Sequence, residues 1–131
     1  MSYERYLGIP YKHLGRDRSG IDCYGLLLLY FKEEFNIDLL DWWYESDWSK
    51  KGANYFIERS AMMSQRVQTP SKHDVVLFYT DIKNKVTNHA GIIVRSPNMV
   101  IQAMKHGVVL TDINKPIFRQ RVEGFYRICQ T

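Results

Sequence analysis

Ile21-Asp22-Cys23-Tyr24-Gly25-Leu26-Leu27-Leu28-Leu29-Tyr30-Phe31-Lys32-Glu33-Glu34-Phe35 is the stretch on which the fold turns. Asp22 is a good helix N-cap, and the apolar run from Leu26 to Phe31 that follows is long enough for a buried helix. Cys23 therefore stands one position after the cap, where unpaired backbone N–H groups and the positive end of the helix dipole favour a thiolate. The spacing predicts a reactive sulfur at the buried end of a helix, with a depressed pKa and N–H groups nearby to receive an oxyanion. Taken alone, a cysteine in such a place is more often a small packing residue.

Upstream, Gly8, Pro10, Gly15 and Gly20 punctuate a basic and aromatic segment, which reads as a short helix followed by an ordered loop. Downstream, residues 36–48 are acidic and aromatic, with Trp42, Trp43, Tyr44 and Trp48 close together, and residues 49–63 carry a helical pattern behind a serine cap. After Thr69-Pro70 the periodicity switches to two. Strands are expected at 74–80, 88–95, 98–104, 107–112 and 121–128, separated by turn formers, so that neighbours in sequence pair antiparallel. Helices first and an antiparallel sheet or partial barrel afterwards make an α+β plan.

The length of 131 residues fits a single domain, 1–131, with one core. No apolar run approaches the roughly 20 residues of a membrane-spanning helix. The start, Met1-Ser2-Tyr3-Glu4-Arg5, lacks a secretory signal, so synthesis in the cytosol without secretion is expected. Two cysteines, Cys23 and Cys129, form no disulfide framework and are expected to be thiols, with Cys129 packed in a late strand. The formal charge of +4 is uneven: residues 1–49 carry −4 and residues 50–131 carry +8. The basic residues are scattered singly without interleaved aromatics, which is a solvated surface rather than a nucleic-acid platform. There is no Walker-type phosphate loop, and Cys23, His13, His89 and His106 lack any metal-ligand spacing, so neither cofactor nor metal is expected.

A thiolate needs a base. His89 opens the strand-like run His89-Ala90-Gly91-Ile92-Ile93-Val94, and the small Ala90 and Gly91 leave room for another element, such as the cysteine helix, to approach. Gln102, an amide between Ile101 and Ala103 on the next strand, is placed to accept the Nδ1 proton and orient the ring.

These pieces resemble the NlpC/P60 cysteine peptidases, papain-like enzymes of bacterial cell walls. Gly8-Ile9-Pro10-Tyr11-Lys12-His13-Leu14-Gly15 and Gly20-Ile21-Asp22-Cys23-Tyr24-Gly25-Leu26 are similar to the first family block, His73-Asp74-Val75-Val76-Leu77-Phe78 with His89-Ala90-Gly91-Ile92 to the second, and Val100-Ile101-Gln102-Ala103 to the third. The resemblance covers about residues 6–112. It implies an NlpC-type fold, the cysteine helix packed on a five- to six-stranded antiparallel sheet or partial barrel. It also implies that Cys23 attacks an amide, His89 moves the proton, Gln102 holds the ring, and Tyr11 offers a hydroxyl near the thiolate or oxyanion. The substrate so implied is the γ-D-glutamyl bond to a diamino acid in the peptidoglycan stem, with Asp22 and the residue after the cysteine at the substrate's amine end.

Three positions depart from the family pattern: Tyr24 stands for a serine, Leu14 for the first of two glycines, and His73 for a glycine. A ring at 24 reshapes the pocket beside the nucleophile. The Asp-Cys-Tyr-Gly-Leu form, the loop Gly15 to Gly20 and the segment Asn36 to Leu39 are similar to the phage tail assembly branch, which implies a virion tail as the site of action and tail proteins as partners. The rival readings are a tail structural protein that keeps the fold, and a Cys/His amidase or deamidase for another substrate.

Overall fold

The computed structural model describes residues 3–41, 64–95 and 97–129. A 3-10 helix at Tyr3–Tyr6 precedes a two-residue hairpin, β1 (Arg16–Asp17) and β2 (Gly20–Ile21), and then helix α1 (Cys23–Phe35). Six further strands follow, β3 (Ser64–Val67), β4 (Val75–Asp81), β5 (Val86–Arg95), β6 (Met99–Met104), β7 (Gly107–Asp112) and β8 (Val122–Ile128), with a single helical turn, α2 (Pro116–Arg119), before the last. The strands form one antiparallel sheet in the order β3-β8-β4-β5-β6-β7.

This is the α+β plan read from periodicity, with two differences. β7 and β8 are not neighbours, because the chain leaves one edge of the sheet and re-enters between β3 and β4. β3 is an additional strand whose sequence, Ser-Gln-Arg-Val, offers no alternation to read. The Trp42–Trp48 aromatic cluster and the helix expected at 49–63 lie outside the described residues.

Both faces of the sheet are covered. On one, Leu26, Leu27, Tyr30 and Phe31 of α1 pack on Val75, Leu77, Ala90, Ile92, Ile101 and Val108. On the other, Val76, Phe78, Ile93 and Val100 pack with Ile113, Phe118, Val122 and Phe125, supplied by the chain that crosses from β7 to β8. Each fully buried side chain of this kind contributes roughly 1.5–3 kcal/mol. Burial on both faces explains why β4 and β5 read as near-continuous apolar runs.

Helix α1 begins as its cap predicts. Asp22 is extended (φ −99, ψ −172) and its Oδ1 accepts from the Gly25 N–H at 2.8 Å. Gly25 has no room for a side chain, since a Cβ there would lie 2.1 Å from the carbonyl oxygen of Gly15. Asn36 ends the helix in the left-handed region (φ 55). Leu14 and His73, the two positions where the family resemblance expects glycine, both have positive φ (61 and 78). Each thus adopts a left-handed backbone that glycine takes up most readily.

Residues 37–41 return along α1. Lys32 pairs with Asp38 at 3.0 Å, and the Tyr24 hydroxyl donates to the carbonyl of Leu40. At the opposite end of the chain's first segment, the Gly8 N–H donates to Val108 O at 2.9 Å and the Val108 N–H to Ile9 O at 3.0 Å, so the N-terminal loop covers the β7 edge. Among the described residues no helix is long and apolar enough to cross a membrane.

Candidate active site

The end of α1 meets the sheet where β5 and β6 part. Their ladder runs from Arg95 and Met99 to Gly91 and Gln102. One residue beyond it, Ala90 shares a core cluster with Cys23, and the backbone N–H groups of Ala90 and Tyr24 act to lower the thiol pKa. Gly91 is small for a different reason from the one expected. A Cβ there would meet Val100 Cγ1 at 2.6 Å and Ile101 O at 2.9 Å, so its neighbour is β6 rather than the helix.

His89, adjacent to Ala90, stacks at 5.5 Å between ring centroids on Phe78, and its Nε2 lies 2.8 Å from Gln102 Oε1. A carboxamide oxygen only accepts, so Nε2 donates, and Nδ1 is the nitrogen left to take a proton. The sequence expectation of a Gln102 bond to Nδ1 is thereby corrected to Nε2. Gln102 is buried, and its Nε2 donates to Thr111 Oγ1 at 2.8 Å. The structure thus joins His89 to Gln102 directly, extends that chain to Thr111, which the sequence reading missed, and sets Cys23 in the core cluster that contains Ala90, the residue after His89. The Met104–Gly107 turn pairs Gln102 with Val109 and so sets Thr111 diagonally opposite on the same face; the His106-Gly107 turn signal is what could have found it.

The thiol is not depressed. It is 7% exposed. Burial, together with the Asp22 carboxylate, pushes it up to about 12, against the Ala90 and Tyr24 N–H groups and the Arg16 charge. Desolvation outweighs the helix end, which corrects the expected resting thiolate. Burial also lowers the His89 pKa, opposed by its bond to Gln102. Burial thus biases both groups toward their neutral forms.

Tyr11 is tied by its backbone to the strand that leads into Cys23, through a bridge to Ile21 and a 3.1 Å bond from the Lys12 N–H to Ile21 O. Its hydroxyl pKa is raised by burial and by the charges of Cys23 and Asp22. Asp22 is differently employed from the expected contact with substrate amine. Its oxygens accept from Gly25 N–H, from Leu14 N–H at 2.8 Å and from Arg16 Nη1 at 3.0 Å, and it is buried. Tyr24 is likewise turned inward, 1% exposed, with Arg16 over its ring at 5.8 Å. Arg16 also forks onto Asp41 at 3.0 Å. Cys129, expected in a packed strand position, follows β8 and is exposed. Among the described residues no group of three or more His, Cys, Asp or Glu is arranged to hold a metal ion.

Residues 8–127 match the model of the NlpC/P60 family. The chain belongs to the NlpC/P60 family. It is 25% identical over 126 residues to the murein DD-endopeptidase MepS/murein LD-carboxypeptidase of Escherichia coli K12, and equally to that of strain O157:H7, covering 96% of this chain. It spans 59% of the length of those curated relatives. Among solved structures, an NLP/P60 lipoprotein-like protein of Staphylococcus aureus Mu50 superposes with a TM-score of 0.71 at 17% identity, covering 97% of this chain and 39% of that one. An NlpC/P60 family protein of Bacillus cereus gives 0.70 at 18%, covering 95% and 37%. The NlpC/p60 domain of the peptidoglycan hydrolase SagA gives 0.64 at 19%, covering 97% and 92%. The NlpC/P60 fold, a helix on a large antiparallel sheet, is therefore shared with these neighbours.

Proposed function

We propose that this NlpC/P60 chain is a cysteine peptidase, a single catalytic domain over residues 1–131, that hydrolyses an amide bond of the γ-D-glutamyl-diamino acid type in the bacterial peptidoglycan stem. The observation that carries the reading is the 2.8 Å bond between His89 Nε2 and the buried Gln102 Oε1, beside Ala90, which shares a core cluster with the helix-start residue Cys23. Cys23 is the nucleophile, His89 the base through Nδ1, and Gln102 the group that orients it. The Tyr11 hydroxyl and the first-turn N–H groups of α1 face the developing oxyanion. Because burial favours the neutral forms of thiol and imidazole, the proton passes from Sγ to Nδ1 as the sulfur attacks. The imidazolium then returns that proton to the leaving amine, and water hydrolyses the thioester.

A phage tail is the proposed setting, with tail proteins as partners. Support comes from the resemblance of the Asp22–Leu26 form, the Gly15–Gly20 loop and the Asn36–Leu39 segment to that branch, the first two touching through Arg16, which bonds to Asp22 at 3.0 Å and lies over the Tyr24 ring. Digestion of defined murein followed by mass analysis of the products tests the reading. Stem-peptide fragments are expected from the wild type and none from Cys23→Ala; equal release by both overturns it. A structural tail protein is the second reading, favoured by the buried, protonated thiol. A wild type inert on every wall preparation, with Cys23→Ala impaired in tail assembly, would select it.

A further inference from the structure

We propose that the turns at the His89 end of the sheet form a basic rim that holds the bacterial wall polymer through the free carboxylates of its stem peptides. This rests on the peptidoglycan reading and gives it a binding surface. The cations involved stand singly in the sequence, and the sheet topology gathers them. β4 ends at Asp81 opposite Val86, so the turn that carries Lys83 and Lys85 closes this end of the sheet. β6 ends at Met104 opposite Gly107, which puts Lys105 in a turn at the same end. The chain also re-enters the sheet there. β8 starts opposite Phe78, the Tyr79 N–H donates to Arg121 O at 2.7 Å, and Arg119 lies two residues earlier. His89 pairs with Phe78, and Gln102 stands two residues before the end of β6, so both belong to the half of the sheet nearest the rim.

Lys83, Lys85, Lys105 and Arg119 are exposed, and among the described residues none of them is in an ion pair. Around α1 the cations are differently employed, since Arg5, Arg16, Arg18 and Lys32 are each paired with a carboxylate. Against the five cations of the rim, its own strand ends bring Asp81, held by Asn84 Nδ2 at 2.8 Å, and Glu123, already paired with Arg66 at 2.7 Å. The chemistry of the partner follows from the bond proposed for cleavage. A glutamyl residue joined through its γ-carbonyl keeps its α-carboxylate free, so the polymer repeats an anion close to every scissile amide. An insoluble mesh of such anions attracts a cluster of cations and draws the neighbouring site onto the stems. Side chains this exposed make an electrostatic contact that salt screens.

Co-sedimentation with insoluble murein tests this, in a Cys23→Ala background so that the polymer is not consumed. A rim variant, Lys83→Gln/Lys85→Gln/Lys105→Gln, is compared with a control that removes equal charge from exposed positions toward the opposite end of the sheet, Lys72→Gln/Arg95→Gln/Lys115→Gln. Binding by the parent should weaken as salt rises from about 0.01 to about 0.1 M, across which the screening length falls from about 30 to about 10 Å. At the lower salt the rim variant should bind at least about 10-fold more weakly, and the control within about 2-fold of the parent. Murein whose free stem carboxyls are converted to primary amides should lose affinity as the rim variant does. Binding by the rim variant equal to the parent, an equal loss in the control, or undiminished binding to amidated murein overturns the proposal. Should the triple variant not fold, Lys83→Gln and Lys105→Gln are each read by the same assay. A wild type that releases no stem fragments while its binding depends on the rim keeps the rim and defeats the peptidase reading. Fragment release by a wild type whose binding ignores the rim defeats the rim alone.

Discussion

His89 and Gln102 meet across an opening in their own sheet. The β5–β6 ladder ends at Gly91 and Gln102, yet Nε2 of His89, two residues further out, still reaches Gln102 Oε1 at 2.8 Å. A side-chain bond thus takes over where the backbone ladder stops.

Replacing Gln102 by glutamate puts a carboxylate on that bond. An ionised partner stabilises the imidazolium, so the His89 pKa rises from its depressed value by roughly 1–3 units. Since the base must be neutral, the acid limb of the kcat profile is expected to move to higher pH by that amount. A profile of rate against pH for Gln102→Glu, unchanged from wild type, would contradict the assigned contact.

Alkylation distinguishes the two thiols in the reverse of the order that the sequence suggests. Cys129 is exposed, whereas Cys23 is buried and raised to about 12. Iodoacetamide at pH 8 should therefore label Cys129 first and Cys23 slowly, read by a mass-spectrometric time course. Faster labelling of Cys23 would mean that the thiol rests as thiolate after all.

The same thiol should set the alkaline stability. Its folded pKa is raised from 9.0 to about 12, so stability present below pH 9 is lost as pH climbs toward 12. Tyrosines with raised values begin to contribute only from their ordinary 10.0 upward. Between pH 9 and 10, urea midpoints should fall with a slope approaching about 1.4 kcal/mol per pH unit in the wild type and stay flat in Cys23→Ser.

On the acid side, His73 and His89 are both lowered from 6.5, chiefly by burial. Depressed imidazoles favour the fold above their unfolded pKa, so this contribution disappears as pH falls below 6.5. His73 Nδ1 is bonded to the Tyr30 hydroxyl at 2.6 Å. His73→Asn, which tolerates the left-handed backbone and does not titrate, is expected to reduce the loss of thermal midpoint between pH 7 and 5. An identical loss would remove His73 from the account.

Arg16 joins the buried Asp22 to Asp41 and covers Tyr24. Arg16→Ala leaves a carboxylate 3% exposed without its ion-pair partner, costing about 2–4 kcal/mol. Arg16→Lys keeps the charge but cannot fork, and should fall between them in urea unfolding. A loss below about 0.5 kcal/mol in the alanine variant would show Asp22 to be satisfied by N–H groups alone.

The helix, its cap and five of the six sheet strands were legible because each is set locally, by Asp22, by an apolar or alternating run, or by flanking turn formers. β3 was not, since its polar residues gain their place only by pairing with β8. The crossover from β7 to β8 was hidden for a similar reason. Its apolar residues, Ile113 and Phe118, sit in a segment that otherwise reads as turn. In the candidate site, the contact of His89 with Gln102 was readable, but the charge state of Cys23 was not. Cys23 at a helix start predicts a thiolate only if water reaches it, and the degree of burial is a property of the assembled core. Leu14 and His73 teach the converse lesson, since their positive φ follows from the surrounding loops and not from their own preference.

The distribution of the site along the chain also orders its folding. Gln102 follows His89 by 13 residues and Thr111 follows Gln102 by 9, all within consecutive hairpins, whereas Cys23 lies 66 residues before His89. Contacts of short separation close early and cheaply, and long ones late. The His89, Gln102 and Thr111 contacts are therefore local in sequence, and only the docking of the Cys23 helix on the sheet is long-range.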